Sequence, residues 1–150
     1  MAFHRTVAVL AALTLSGIAR AGEVQVPYGA YLDLETGHWA TADDCFMSVV
    51  DCRGMDLKVR YSDKRQPHAF LEFPQVVSQA RTKLGASDVS ADTLHGLAAY
   101  GYSSAYGFLP ETLVIVKGSR TFAIQLVSED GKSATLRYEL VATREAPKLD

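Results

Sequence analysis

Alternation of apolar and polar side chains is clearest in the last third of the chain. Residues 120–128 and 133–143 alternate with a period of two, residues 112–117 form a short apolar run, and two short turns that contain glycine, residues 118–119 and 129–132, separate the three segments. This combination is typical of antiparallel strands joined by tight turns. The sequence therefore predicts a three-stranded meander. We expect its apolar face to carry Phe122, Ile124, Leu126, Leu136, Tyr138 and Leu140, with Arg137 and Glu139 in water.

The first half of the chain contains shorter patterns of the same kind. Residues 22–27 alternate, and residues 31–40 predict a hairpin with a glycine in its turn. In residues 57–61 three apolar side chains alternate with two cations, which predicts a strand with one face in water. Residues 62–67 form a polar turn, and residues 68–73 are either a further strand or the approach to a helix.

The hydrophobic period changes in the middle of the chain. Residues 74–84 begin with proline, carry apolar side chains at helical spacing and are followed by glycine, which predicts an amphipathic helix. Residues 90–101 predict a second, shorter helix with Ser90 as N-cap and Gly101 at its end. The expected fold class is α+β: one domain rich in antiparallel β-sheet, with a C-terminal three-stranded meander and one or two short helices in the middle.

Residues 1–21 have the three parts of a secretory signal peptide. A basic start with Arg5 precedes an apolar run over residues 7–15, and residues 19–21 form a small-x-small cleavage site. The apolar run is shorter than the roughly 20 residues of a membrane span. We therefore expect a cleaved signal, one domain over residues 22–150, no membrane span, and a periplasmic or secreted protein.

Charge restricts the class of partner. The chain has 15 Lys and Arg against 17 Asp and Glu. Without Arg5 and Arg20, 13 basic side chains face 17 acidic ones, a formal charge of −4. A protein that binds nucleic acid needs a basic surface that displaces counterions, and no basic cluster is present. We therefore expect no nucleic-acid partner.

Cys45 and Cys52 are the only cysteines. In an oxidising compartment an even number of cysteines favours a disulfide. Bonded cysteines have Cα atoms within about 7 Å, so the chain between them must turn. A redox pair or a thiolate metal site is disfavoured, because the spacing is not Cys-x-x-Cys and no neighbouring His or Cys completes a site. The sequence predicts a structural disulfide.

The candidate binding residues are mainly aromatic. Residues 100–108 combine tyrosine and phenylalanine with glycine and serine, a composition typical of adaptable binding loops; alternatively, Tyr106 and Phe108 pack beneath the meander. Trp39 is a second aromatic candidate, and the pair Asp43-Asp44 is either a solvated acidic loop or a contact for a basic partner. We expect a non-enzymatic inhibitor or toxin-immunity protein that occludes a protein such as a basic hydrolase or toxin. The expected contacts are Tyr100, Tyr102, Tyr106, Phe108, Trp39, Asp43 and Asp44.

Two hairpins carry a resemblance to a known group of proteins. Residues 31–37 (Tyr-Leu-Asp-Leu-Glu-Thr-Gly) and the strand pair in residues 121–138 resemble paired segments of β-rich, haem-binding lipoproteins of the haemophore type. The resemblance implies a haem or small-ligand carrier of the cell envelope as an alternative function. Candidate iron ligands are His68 and His95, which flank the predicted helices. No histidine has the spacing of a metal site, so the first expectation is no cofactor.

An envelope-polymer hydrolase is the third candidate function. Residues 101–105 approximate a nucleophile elbow with Ser103 at the serine position, and Asp43-Asp44 is a pair of neighbouring carboxylates. An elbow needs a strand before the serine and a helix after it, whereas here the predicted helix precedes the serine. Acids in a wet turn also lack the different environments that separate their pKa values for acid and base roles. We therefore expect no enzyme activity.

Overall fold

The computed structural model describes residues 21–46, 52–64, 66–90, 92–94, 97, 100–106 and 111–141. Within these ranges the chain forms one nine-stranded sheet in which every strand pair is antiparallel. The strands are β1 (Ala21–Pro27), β2 (Tyr31–Leu32), β3 (Trp39–Ala40), β4 (Leu57–Tyr61), β5 (Ala69–Thr82), β6 (Tyr100–Tyr106), β7 (Thr112–Lys117), β8 (Arg120–Glu129) and β9 (Ser133–Val141).

The order of the strands makes the sheet nearly closed. The main path is β1-β9-β8-β7-β5-β4-β2-β3. The connection that follows β1, at the first end of this path, lies against β4, near the other end. Gly29 N donates to Val59 O at 2.7 Å, and Val59 N donates to Ala30 O at 3.0 Å. A sheet that curls in this way encloses one face and leaves few open edges.

The long strand β5 is the centre of the sheet. Its residues 70–72 pair with both β4 and β6, and its residues 78–79 pair with both β6 and β7. Strands β4 and β7 therefore lie end to end along one edge of β5, and β6 lies along the other. Between these regions a bulge at residues 73–76 sits opposite Ser103 of β6.

The enclosed face of the sheet holds the main core. Val26, Leu57, Val59 and Leu71 lie there with the apolar residues of the C-terminal strands. The predicted meander is present as β7, β8 and β9, joined by turns at Gly118 and Gly131, both with positive φ. The side chains expected on its apolar face are buried in or packed against this core: Phe122, Ile124, Leu126, Leu136, Tyr138 and Leu140.

The predicted α+β class was wrong, because residues 74–84 belong mainly to strand β5 and form no helix. The bulge places Pro74, Gln75 and Val76 on the surface in succession and shifts the phase of the alternation. Val77 is buried on one face of the strand and Ala80 on the other, whereas Ser78 between them is exposed. The resulting spacing of apolar residues resembles that of a helix. The bulge can accommodate Pro74 because the backbone hydrogen bonds between the strands are interrupted there.

The second predicted helix is also absent from the described residues. Two single-turn 3₁₀ helices, Ala86–Asp88 and Asp92–Leu94, occur before strand β6 begins at Tyr100. Their apolar residues pack against the outer face of the meander rather than along a helix. This smaller core contains Ala86, Val89, Leu94, Val114, Ala123 and Val141.

The ring of Tyr138 packs against the backbone at two glycines. A Cβ atom at Gly22 would lie 2.7 Å from Tyr138 Oη, and a Cβ atom at Gly37 would overlap the same oxygen. Gly37 also has a φ of +71°, which disfavours any residue with a Cβ. Burial, and then the charge of Asp33, raise the pKa of Tyr138. The hairpin of β2 and β3 therefore depends on a glycine in its turn.

Candidate functional site

The predicted disulfide is confirmed: Cys45 and Cys52 are bonded, with their Cα atoms 5.5 Å apart. Cys45 lies in the short helix α1 (Ala42–Phe46), and Cys52 begins the single-turn helix Cys52–Gly54. The bond fixes these two turns against each other on the surface, just before strand β4. Residues 47–51 of the enclosed ring lie outside the described residues.

Asp44 has a structural partner within α1. Its Oδ2 accepts from Thr41 N at 3.1 Å and from Thr41 Oγ1 at 2.8 Å, and Asp44 N donates to Thr41 Oγ1 at 3.2 Å. This reciprocal arrangement is a capping box. The hydrogen bonds from Thr41 lower the pKa of Asp44. Of the two acidic residues predicted to meet a partner, Asp44 caps the helix, while Asp43 is exposed.

A pocket of about 180 Å³ lies beside the disulfide. We call it the Asp56 pocket. Its walls come from the Cys52–Gly54 turn, the bulge of β5 and the turn between β7 and β8. They include apolar side chains and two cations. The lining residues are Arg53, Met55, Asp56, Pro74, Gln75, Val76, Val77, Val116, Lys117 and Gly118.

The carboxylate of Asp56 is only 1% exposed and is held on both oxygens. Leu34 N donates to Oδ2 at 2.8 Å, and Lys117 Nζ donates to Oδ1 at 2.8 Å. Arg120 lies 3.6 Å from Oδ1 and also pairs with Glu35. Glu35 raises the pKa of Arg120 through a hydrogen bond, against the opposing effect of burial. A buried carboxylate needs such partners, and in return it fixes the lysine ammonium at the pocket wall.

Two large, exposed apolar side chains lie in segments that form the pocket or adjoin it in the chain. Val76, on the β5 bulge, is 70% exposed, and Phe46, at the end of α1, is 86% exposed. Phe46 follows Cys45, and Arg53 of the pocket follows Cys52. Neighbouring Cα atoms in a chain are about 3.80 Å apart, and the Cα atoms of the two bonded cysteines are 5.5 Å apart. The Cα atoms of Phe46 and Arg53 therefore lie within about 13 Å of each other. We call Phe46, Val76 and the Asp56 pocket together the disulfide face.

A second cluster surrounds Glu129 at the end of β8. Its carboxylate accepts from His68 N at 2.9 Å, from Ala69 N at 2.8 Å and from Tyr28 Oη at 2.9 Å. Burial alone would raise the pKa of Glu129, but these hydrogen bonds outweigh it and lower the pKa. Burial and the bond to Glu129 raise the pKa of Tyr28. Beside it, the rings of Tyr28 and Tyr61 meet edge to face with centroids 5.2 Å apart, and the rings of Tyr61 and His68 stack with centroids 5.0 Å apart.

Both ring nitrogens of His68 contact protein groups. Nδ1 lies 3.0 Å from Ser62 O, which requires it to carry the proton, and Nε2 lies 2.8 Å from Gln66 Nε2. A haem iron would have to displace Gln66 to reach Nε2. His95, the other candidate ligand, lies outside the described residues. Within the described ranges no three His, Cys, Asp or Glu side chains group to hold a metal ion.

The tyrosines of residues 100–106 lie on a strand rather than in a loop. Strand β6 pairs with β5 from Tyr106 opposite Phe70 to Tyr100 opposite Gln79. Phe108 is not among the described residues. Trp39 is half-buried and packs against the main core from strand β3. Three strands separate β3 from β6 along the sheet, so the sheet does not place Trp39 beside the tyrosines.

Ser103 lies inside strand β6, opposite the β5 bulge. A nucleophile elbow places its serine on a sharp turn between a strand and a helix. The backbone around Ser103 does not have that form.

No helix in the described ranges is long and apolar enough to cross a membrane.

The residues of the disulfide face were missed as binding candidates from sequence. Asp56 is not among the residues predicted to form a site, although it lies between Met55 and Leu57, both buried. That apolar setting is the available signal for a buried carboxylate. Val76 lies within residues 74–84, for which the sequence predicts a helix, and the strand bulge exposes it instead. Nothing in the local sequence distinguishes Phe46 as exposed.

The fold and this site define an antiparallel β-sheet protein with one disulfide and a surface pocket built on a buried ion pair. No family model, curated protein or solved structure matches the chain.

Proposed function

We propose that the chain is an exported, non-enzymatic binding protein of the inhibitor or toxin-immunity type, and that it covers its protein partner with the disulfide face. The observation that carries this proposal is the exposure of two large apolar side chains: Val76, which lines the pocket, and Phe46, which follows the disulfide-bonded Cys45. Exposed large apolar side chains in or near a concavity, with polar groups around them, are typical of protein contact sites.

The rigidity of this face supports the same function. The disulfide restrains the backbone beside Phe46, and strand pairing restrains the backbone on both sides of the bulge that carries Val76, before a partner arrives. A surface that is ordered in advance loses less conformational entropy on binding. The negative charge expected for residues 22–150 favours a basic partner at long range. Occlusion of a partner's active cleft would then need no catalytic group.

The test is affinity capture from envelope and secreted extracts of the source cells, followed by titration of the captured protein after purification. We expect the double variant Phe46→Ser/Val76→Ser to bind at least about tenfold more weakly than the wild type, since two apolar contacts are lost. Val127→Ser is the matched control, because Val127 is also exposed but lies on β8. Equal affinity of the double variant and the wild type, or no captured protein, would overturn the proposal.

Export is the second part of the proposal. A disulfide is stable in an oxidising compartment and is rare in a reducing cytosol. The signal-like residues 1–21 supply a route to such a compartment. The test is the N-terminal sequence of the protein recovered outside the cytoplasm. Gly22 as first residue is the expected result, and an intact Met1 in cytoplasmic material would contradict it.

A further inference from the structure

We propose that the Asp56 pocket is a carboxylate-binding site that receives a glutamate side chain of the partner protein. This inference rests on the proposed function and names the chemistry of its central contact. The pocket has two cations, Lys117 and Arg53, and the carboxylate of Asp56 at its wall, with apolar groups around them. A glutamate side chain has the matching parts: a two-carbon apolar stem and a terminal anion.

The ammonium of Lys117 supplies the charge. An ammonium has three N–H donors, and within the described ranges Asp56 Oδ1 accepts one of them. Two donors are then available to a ligand in the pocket. The negative charge of Asp56 is offset by Lys117 and Arg120, and Arg53 adds a further cation to the pocket wall, so the pocket can attract an anion.

The position of Lys117 is set before binding. Most surface lysines are flexible, and ordering one costs conformational entropy. Here the buried carboxylate of Asp56 holds Nζ at 2.8 Å. Asp56 is therefore a positioning residue, which acts on a ligand only through Lys117.

The apolar walls and the volume select a short acidic side chain. Met55, Val77 and Val116 line the pocket, and they can contact methylene groups. The cavity of about 180 Å³ exceeds the space of a single water. A phosphate could contact both cations of the pocket, but it has no apolar stem to place against these walls. A carboxylate on a stem uses both the ammonium and the walls.

The first experiment measures this chemistry without the partner. The full protein is titrated with N-acetylglutamate α-amide, with its neutral glutamine counterpart and with hexanoate, and backbone amide shifts are followed by NMR. We expect the glutamate probe to shift residues 116–118 and 77, with a Kd on the order of 1 mM. The glutamine probe is expected to bind at least about tenfold more weakly. Equal binding of the two probes would overturn the proposal.

The hexanoate titration distinguishes the source of the carboxylate. A free small-molecule carboxylate and a partner's side chain share the same anionic group. If hexanoate binds in the pocket and the glutamate probe does not, the ligand is a free aliphatic acid and the assignment to a partner's glutamate is wrong. If the glutamate probe binds within about tenfold of hexanoate, the pocket accepts the side chain as proposed.

Variants at Val76 test the charge without disturbing the core. Because Val76 is 70% exposed, Val76→Glu and Val76→Lys are both expected to fold with the thermal midpoint of the wild type. Val76→Glu places an anion at the pocket and is expected to bind the glutamate probe at least about tenfold more weakly than Val76→Lys, which places a cation there. Equal effects of the two substitutions would contradict a charge-based site.

The same pair separates this inference from the proposed function. Lys117→Met removes the ammonium directly, with Lys132→Met, an exposed turn lysine, as control. If Lys117→Met binds the partner as tightly as Lys132→Met, and Val76→Glu as tightly as Val76→Lys, the function stands and the carboxylate site is overturned. If Lys117→Met binds the partner more weakly than Lys132→Met, and Val76→Glu more weakly than Val76→Lys, the site is confirmed. Absence of any partner overturns the proposed function, whatever the NMR titration shows.

Discussion

Replacement of Glu129 by glutamine tests the hydrogen bonds that join strand β8 to β5 and to the connection between β1 and β2. The two oxygens of Glu129 accept from the backbone N–H groups of His68 and Ala69 and from the hydroxyl of Tyr28. These bonds tie the end of β8 to the start of β5 and to the connection between β1 and β2. Glutamine has the same shape but offers one oxygen and an NH₂ group.

The magnitude follows from these three bonds. In either amide orientation one backbone N–H faces an NH₂ group and loses its acceptor. An orphaned buried donor costs about 1–3 kcal/mol, and the remaining bonds lose their charge assistance. The Tyr28 hydroxyl can rotate and accept instead. We expect Glu129→Gln to lower the free energy of unfolding by about 2–4 kcal/mol.

Urea denaturation measures this loss, with circular dichroism and the fluorescence of the single tryptophan, Trp39, as two probes. The control is Glu72→Gln, because Glu72 forms an exposed ion pair with Arg60 at 3.5 Å. Such a pair contributes at most about 1 kcal/mol. If Glu129→Gln is no more destabilising than Glu72→Gln, the hydrogen-bond interpretation of Glu129 is refuted.

The pH dependence gives a second signature of Glu129. Its pKa is lowered in the folded protein relative to the ordinary 4.5. A lowered carboxyl pKa stabilises the fold above the unfolded-state pKa, and this contribution is lost as pH falls through the folded-state pKa. The stability difference between wild type and Glu129→Gln is therefore expected to be constant near neutral pH and to shrink below about pH 4.5. A difference that does not change with acidification would contradict the assignment.

Three further substitutions test other parts of the fold by the same denaturation assay. Gly37→Ala is expected to cost about 1–3 kcal/mol, because φ is +71° and the added Cβ meets the Tyr138 hydroxyl; a neutral result would contradict the close approach. Cys45→Ser/Cys52→Ser removes an eight-residue ring and is expected to cost about 2.5 kcal/mol, a loss that reduction of the wild type should reproduce. Asp56→Asn is expected to cost about 1–3 kcal/mol, since two cations lose their buried anion, and an unchanged midpoint would show that the ion pair is not structural.

Local features of the sequence determined several parts of this protein. The meander followed from period-two alternation and glycine turns, because a hairpin is specified by residues close together in the chain. The disulfide followed from the cysteine count and the short spacing between the two residues. The prediction that residues 31–40 form a hairpin also held, with β2 paired to β3.

Other parts were decided only by tertiary contacts. Residues 74–84 have an apolar spacing that fits a helix, but strand β5, to which most of them belong, pairs with β4, β6 and β7. A bulge between Glu72 and Val77 interrupts the alternation of buried and exposed side chains. The burial of Asp56 depends on Leu34 and Lys117, which are 22 and 61 residues away in the chain. The pocket and its exposed neighbours arise from three distant segments that the closed sheet brings together, and no local pattern encodes which distant residues become neighbours.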